Sequence, residues 1–262
     1  MSEELSVDRR PDGIVVLTLN DPARRNAMSD EMTAAWKQTI TELRADPGLR
    51  CVVVTGAGSA FSSGGNLSWL ADRNEIELPA LRDHMLEFYR SWLTIRQLEV
   101  PTIAAINGHA VGAGLCLALA CDLRYAADDA ELLAPFTALG LHPGMAATFL
   151  FPETVGLPRA RELLFTGRTV TGAQAESFGL VNRAVPRPQV LREALGVAEE
   201  IAAQAPVATR LTKVALSDGG PPSLEAALRW ESLAQPVTMT SQDLLEGLAA
   251  QRERRRPNFS GR

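Results

Sequence analysis

The segment Pro101–Asp122, PTIAAINGHAVGAGLCLALACD, can do chemistry with its backbone alone. A buried-strand pattern at Thr102–Ile106 runs into the small, glycine-rich turn Asn107–Gly114, which opens an apolar helix. The first N–H groups of a helix have no partner inside it, so such a turn can hold an anion or a polarised carbonyl oxygen. An earlier stretch has the same ingredients: Cys51–Thr55 (CVVVT), then the loop GAGSAFSSGGN ending at Asn66. Two such junctions in one chain predict two N–H donors meeting at one oxygen, an oxyanion hole. Two side chains add options. Cys116 stands near the first turn of its helix, where the dipole favours a thiolate. Its neighbours Leu115, Leu117 and Ala118 favour the alternative, a small buried hydrophobe. His142, just before Pro143 and Gly144, reads as a base near neutral pH or as a helix-entry residue.

These residues need a frame, and the periodicity supplies one. Ile14–Leu19 reads as a strand, followed by an Arg- and Asn-rich turn at Pro22–Met28. A helix starts at Ser29, with Asp30 and Glu31 at its positive end. Asp46–Pro47–Gly48 breaks the chain before the Cys51–Thr55 strand. The spacing of Leu81, Met85, Phe88, Trp92 and Ile95 predicts a helix within Glu75–Leu98, with Pro79 interrupting its start. Leu123–Ala126, Leu132–Phe136 and Val181–Val185 read as short strands, and Pro158–Phe165 as a helix with Pro158 in its first turn. Thr171–Gln174 makes a capping box, and Gly179 closes that short helix. From about Pro188 strand signals stop. Leu191–Gln204, Val207–Ser217, Leu224–Ala234 and Gln242–Arg254 all read as helices. The reading is an α/β core over residues 1–187 and a helical region over 188–262 that ends in a basic tail, RERRRPNFSGR.

Composition narrows the classes. The chain has 262 residues, 46% hydrophobic and 22% charged, ample for a sizeable core. A formal charge of −5 argues against a nucleic-acid surface. Three cysteines with no framework spacing suit a reducing cytoplasm. MSEELSVDRR carries no apolar signal-peptide core, and the longest apolar run, Ala110–Cys121, is too short to span a bilayer. No metal, nucleotide redox cofactor or membrane is implied.

Taken together the motifs resemble the crotonase superfamily, also called the enoyl-CoA hydratase/isomerase family. The resemblance covers essentially the whole chain. NDPARRNAMS at 20–29 looks like its first CoA-binding turn, AFSSGGN at 60–66 like its first oxyanion loop, and INGHAVGAGLCLALACD at 106–122 like the second. LGLHPG, LFTGRTVTGAQAESFGLVNRAV and EGLAAQRERRRPNF follow in the expected order. The resemblance implies a crotonase-like α/β spiral of ββα turns with a C-terminal helical trimerisation region. It further implies a homotrimer, or a hexamer built as a dimer of trimers. The ligand it implies is an acyl-CoA thioester, coenzyme A being part of the substrate rather than a separate cofactor. By position the oxyanion donors are the N–H groups of Gly65 and Ala113. Ala27, Ser63, Gly64, Asn66, Leu67, Gly112 and Phe136 join them around the ligand. Arg24 and Arg25 are placed to meet its phosphates or its adenine end, with bidentate geometry available. Ser68 departs from a lysine common in relatives. Arg256 and Phe259 fall in a tail segment that completes a neighbour's CoA site.

The same resemblance exposes an absence. Hydratases of this family activate water with two glutamates, and the matching positions here are Cys116 and Phe136. A third position, used by some isomerase relatives, is Gly144. A positioned acid or base contributes roughly 10²–10⁴ in rate, and one oxyanion donor on the order of 10²–10³. The expectation is therefore an enzyme that polarises a thioester and forms an enolate, with ordinary hydration weak or absent. Phe136 makes the pocket drier and more apolar, which suits a long or aromatic acyl group or a step that excludes water. Two alternatives stand beside it: a non-catalytic acyl-CoA-binding protein, and a thioesterase acting through Cys116.

Overall fold

The computed structural model describes residues 4–65 and 77–262. Runs of β-branched residues build the larger of two sheets. Its six strands lie in the order β1 (Leu5–Arg9), β2 (Ile14–Leu19), β3 (Cys51–Gly56), β5 (Thr102–Ile106), β7 (Leu123–Ala127) and β10 (Arg183–Val185). Only the β1–β2 pair is antiparallel; the others run parallel, with Val52 opposite Thr102 and Ile103 opposite Leu123. All six residues of β3 and all five of β5 are buried, as a parallel sheet covered on both faces requires.

The smaller sheet holds β4 (Ala60–Ser62), β6 (His109–Val111), β8 (Glu131–Leu133) and β9 (Val170–Thr171) in that order. The chain passes from β3 to β4, from β5 to β6 and from β7 to β8 around short corners, one strand in each sheet. A helix then closes the later turns: α3 (Ala113–Ala120) after β6, and α4 (Ala147–Thr166) after β8. This is the ββα spiral that the resemblance implied. Side-chain amides hold the corners, because backbone polar groups there have no ladder partner. The Asn26 side chain, fully buried, donates to the carbonyls of Ala57 and Ala60 at 2.9 and 2.8 Å. Asn107 accepts the Gly56 N–H at 3.1 Å and donates to the Gly58 carbonyl at 3.1 Å.

Two helices form one wall beside the first turns. Ser29 caps α1 (Asp30–Arg44), its hydroxyl accepting the Met32 N–H at 3.0 Å. The predicted Glu75–Leu98 helix is α2 (Leu78–Leu93), where Pro79 occupies the first turn, needing no amide hydrogen there, and interrupts nothing. The Leu132–Phe136 strand is shorter than predicted, since Pro135 and Phe136 leave the ladder after Leu133. Helix α4 begins eleven residues before Pro158 and bends at Gly156, whose φ of 70° is not helical. The capping box appears at the start of α5 (Gly172–Ser177).

Helix α6 (Val190–Ala202) packs on the large sheet through the fully buried Val190, Ala194 and Ala198. Helices α7 (Pro206–Leu216), α8 (Leu224–Met239) and α9 (Gln242–Glu253) come after it. No helix among the described residues is long and apolar enough to cross a membrane.

Candidate active site

Two loops meet at the head of α3. The Met28 N–H donates to the Gly64 carbonyl at 2.8 Å and the Ser63 N–H to the Arg25 carbonyl at 2.9 Å. This ties the Arg24–Met28 turn to the first glycine loop. Ser62, fully buried, locks the corner: its hydroxyl donates to the Asn26 carbonyl at 2.8 Å and accepts the Gly64 N–H at 3.1 Å. Gly64 has a φ of 84°, and a side chain there would come within 2.5 Å of the Val111 carbonyl and 3.1 Å of the Ala113 nitrogen. Only glycine allows the two loops to touch. Gly112 precedes α3 at φ 54° and ψ −117° and offers no side-chain cap.

As a result the backbone N–H groups of Gly65 and Ala113 are bonded to no other described residue, and both residues line one cleft of about 610 Å³. The helix dipole adds partial positive charge at Ala113. Two such donors can hold an oxygen that gains negative charge.

The cleft wall opposite the loops is α2, which brings Leu81, His84, Met85, Phe88 and Tyr89 to it. From the other side come Pro135, Phe136, Leu139 and His142. The Phe136 ring lies against Gly112, its Cζ 3.8 Å from where a Cβ would stand. His142 is exposed at the rim, its Nδ1 2.8 Å from the Pro143 carbonyl. If Nδ1 carries the proton for that bond, Nε2 is left as the basic nitrogen. Arg24 is also at the rim, but its guanidinium already meets Asp21 at 2.5 Å and Glu4 at 2.5 Å.

Other residues lie elsewhere. Cys116 is fully buried beneath the cleft and does not line it. Its sulfur faces the Gly144 carbonyl at 3.9 Å, and burial pushes the thiol up to about 12. The thiolate reading fails on this point: desolvation outweighs the helix dipole. Arg25, Ala27 and Gly64 support the loop without lining the cleft. Asn66 and Leu67 lie outside the described residues. Phe259 packs on Gly247 of α9, 3.6 Å from a Cβ there, because the tail folds back. Asp243 accepts the Ser260 and Gly261 N–H groups at 2.7 and 2.9 Å to hold it. Glu153 is engaged by both terminal nitrogens of Arg96 at 2.9 and 3.0 Å. Asp122 accepts from Thr102 and pairs with Lys213, a structural role.

Sequence reasoning missed His84 and Tyr89. Both share the α2 face of Leu81, Met85 and Phe88, at spacings of three or four residues, so the signal was present.

The family model described as Enoyl-CoA hydratase/isomerase matches residues 9–262. Enoyl-CoA hydratase domain-containing protein 2, mitochondrial, from Mus musculus is 38% identical over 259 residues, covering 95% of this chain and 85% of the relative. An enoyl-CoA hydratase structure from Bacillus anthracis superposes with a TM-score of 0.93 at 35% identity, covering 99% of this chain and 100% of that one. One from Mycobacterium smegmatis gives 0.91 at 30%, covering 98% and 99%.

Proposed function

The chain belongs to the enoyl-CoA hydratase/isomerase family, and on that premise we propose that it converts an acyl-CoA thioester through an enolate. The observation that carries this reading is the pair of N–H groups of Gly65 and Ala113, bonded to no described residue, on touching loops at one apolar cleft. They hold the thioester oxygen, and the developing charge strengthens both bonds. Each donor supplies on the order of 10²–10³ in rate.

The residues behind the hole decide which reactions it can serve. Cys116 is an un-ionised buried thiol and Phe136 a ring, so neither activates water. Without a positioned acid–base pair, hydration loses a factor of roughly 10²–10⁴ for each missing group. Crotonyl-type hydration is therefore slow, while a step that only needs an enolate stabilised remains open.

A panel of 2-enoyl-, 3-enoyl- and malonyl-type CoA esters tests the reading. Binding is measured by calorimetry and turnover by mass spectrometry. Binding with conversion of at least one ester supports it, and binding without any conversion makes the protein a non-catalytic acyl-CoA carrier. Failure to bind any acyl-CoA overturns both.

The protein works as a homotrimer or a dimer of trimers. Helix α8 buries none of its sixteen residues, yet carries Leu224, Leu228, Leu233, Val237 and Met239 exposed. An apolar helix face of this kind needs a partner. The three free cysteines suit a reducing compartment such as the cytoplasm.

A further inference from the structure

A Cβ built at Gly144 would overlap the Tyr89 hydroxyl oxygen and come within 3.1 Å of Tyr89 Cζ. The phenol therefore occupies the volume that a side chain at 144 would need, directly above the buried Cys116. Tyr89 is half-buried on the cleft wall. Burial pushes the phenol up from its ordinary value, so at neutral pH it is a proton donor and no base.

The other ionisable side chains on the described lining are Arg24, Asp30, Glu31, His84 and His142, and all are exposed. Away from these exposed groups, the described lining thus carries one titratable proton donor, Tyr89, and no half-buried or buried base. Enolates formed by deprotonation need such a group. Loss of carbon dioxide does not.

Resting on the acyl-CoA reading above, we propose that Tyr89 protonates the α-carbon of the enolate left when a 2-carboxyacyl-CoA loses carbon dioxide. The bond between the carboxylate carbon and the α-carbon breaks, and its electron pair passes into the enolate as neutral carbon dioxide departs. The enolate oxygen rests on the Gly65 and Ala113 N–H groups. The α-carbon then takes the Tyr89 proton: the O–H bond breaks, a C–H bond forms and the thioester carbonyl returns. The phenolate recovers a proton from water at the cleft mouth, so each turnover consumes one proton. Phe88, Phe136 and Leu139 solvate a substrate carboxylate poorly, which favours its loss as an uncharged molecule.

The test compares the wild-type chain with Tyr89→Phe on 2-methylmalonyl-CoA in deuterium oxide, with butyryl-CoA as a binding control. The wild type is expected to place one deuterium at the α-carbon in a single configuration. Tyr89→Phe is expected to bind butyryl-CoA as the wild type does and to lose about 100-fold or more in kcat. Its residual product should carry deuterium in both configurations, since water then quenches the enolate. A purely structural role would lower rate without scrambling configuration. Gly144→Ala keeps the tyrosine but displaces its ring, and should scramble configuration too. Unchanged rate and configuration in Tyr89→Phe overturn the proposal. So does a wild type that binds butyryl-CoA but releases no carbon dioxide, with the acyl-CoA reading left standing. A wild type that fails to bind butyryl-CoA removes that reading, and the proposal with it.

Discussion

Cys51, Cys116 and Cys121 are all buried, and burial pushes each thiol from 9.0 up to about 12. Native protein at pH 8 should therefore react with no equivalent of a thiol reagent, and denatured protein with all three. Rapid labelling of Cys116 in the native state would restore it as a nucleophile. The same shifts set an alkaline limit on stability. Below about pH 9 folded and unfolded chains hold these protons equally; above it the unfolded chain releases them first. Stability must then fall, by about 1.4 kcal/mol per pH unit for each ionised unfolded thiol, until the folded thiols titrate near 12. Urea midpoints should be lower at pH 10 than at pH 8, with a shallower drop in Cys116→Ala. At Gly112 the expected change is local: Gly112→Ala places a side chain at φ 54°, costs about 1–3 kcal/mol and misaims the Ala113 N–H. Acyl-CoA affinity, measured by calorimetry, should fall with it. The two glycine loops were legible as residues because each motif is local. What stands behind them was not, since Tyr89 reaches Gly144 from a distant part of the sequence.

Elements decide whether Tyr89 keeps that position. Its helix, α2, is anchored on α1 by Trp36 and Trp92, both fully buried, with ring centroids 5.0 Å apart. Each indole is also tied by its N–H, Trp36 to the Trp92 carbonyl at 3.2 Å and Trp92 to the Thr33 hydroxyl at 3.0 Å. Tyr89 stands one turn before Trp92, so loosening the stack loosens the phenol. Trp36→Ala should cost about 3–5 kcal/mol in chemical denaturation. Turnover by the surviving folded protein should fall as well, though no residue of the cleft is altered. An activity per folded molecule equal to wild type would show that α2 holds its place without the stack. The long elements were readable because apolar spacing repeats over several turns. The strands β4, β6 and β9, of three, three and two residues, are too short for any period to develop. The first half of helix α4 went unpredicted, and it contains two poor helix formers, Pro152 and Gly156.

The whole molecule leaves one face without a partner. Leu224 and Leu233 are 77% and 72% exposed, and Leu245 on α9 is 68% exposed. Helix α8 turns Ala227, Trp230 and Ala234 partly inward, but its leucines stay 52–77% exposed and contribute little to the fold of one chain. The sequence showed these helices by their periodicity, but a period cannot say whether a stripe faces its own core or another copy. Burial separates the two cases, and here it points outward. Wild-type protein should sediment as a trimer or larger, and Leu228→Glu with Leu233→Glu should sediment as a monomer of unchanged circular dichroism. Because neither residue touches the core, lost helicity in the double variant would mean that α8 is ordered only by association. A wild type that stays monomeric at micromolar concentration would instead leave α8 solvated. The tail sharpens the expectation, since Phe259 lies on Gly247 of its own α9 and reaches its own cleft at no point. If the tail serves a CoA site, it must serve that of a neighbour. Dissociation by Leu228→Glu and Leu233→Glu should then weaken acyl-CoA binding, while Phe259→Ala should weaken it in the assembled protein and change nothing in the monomeric one.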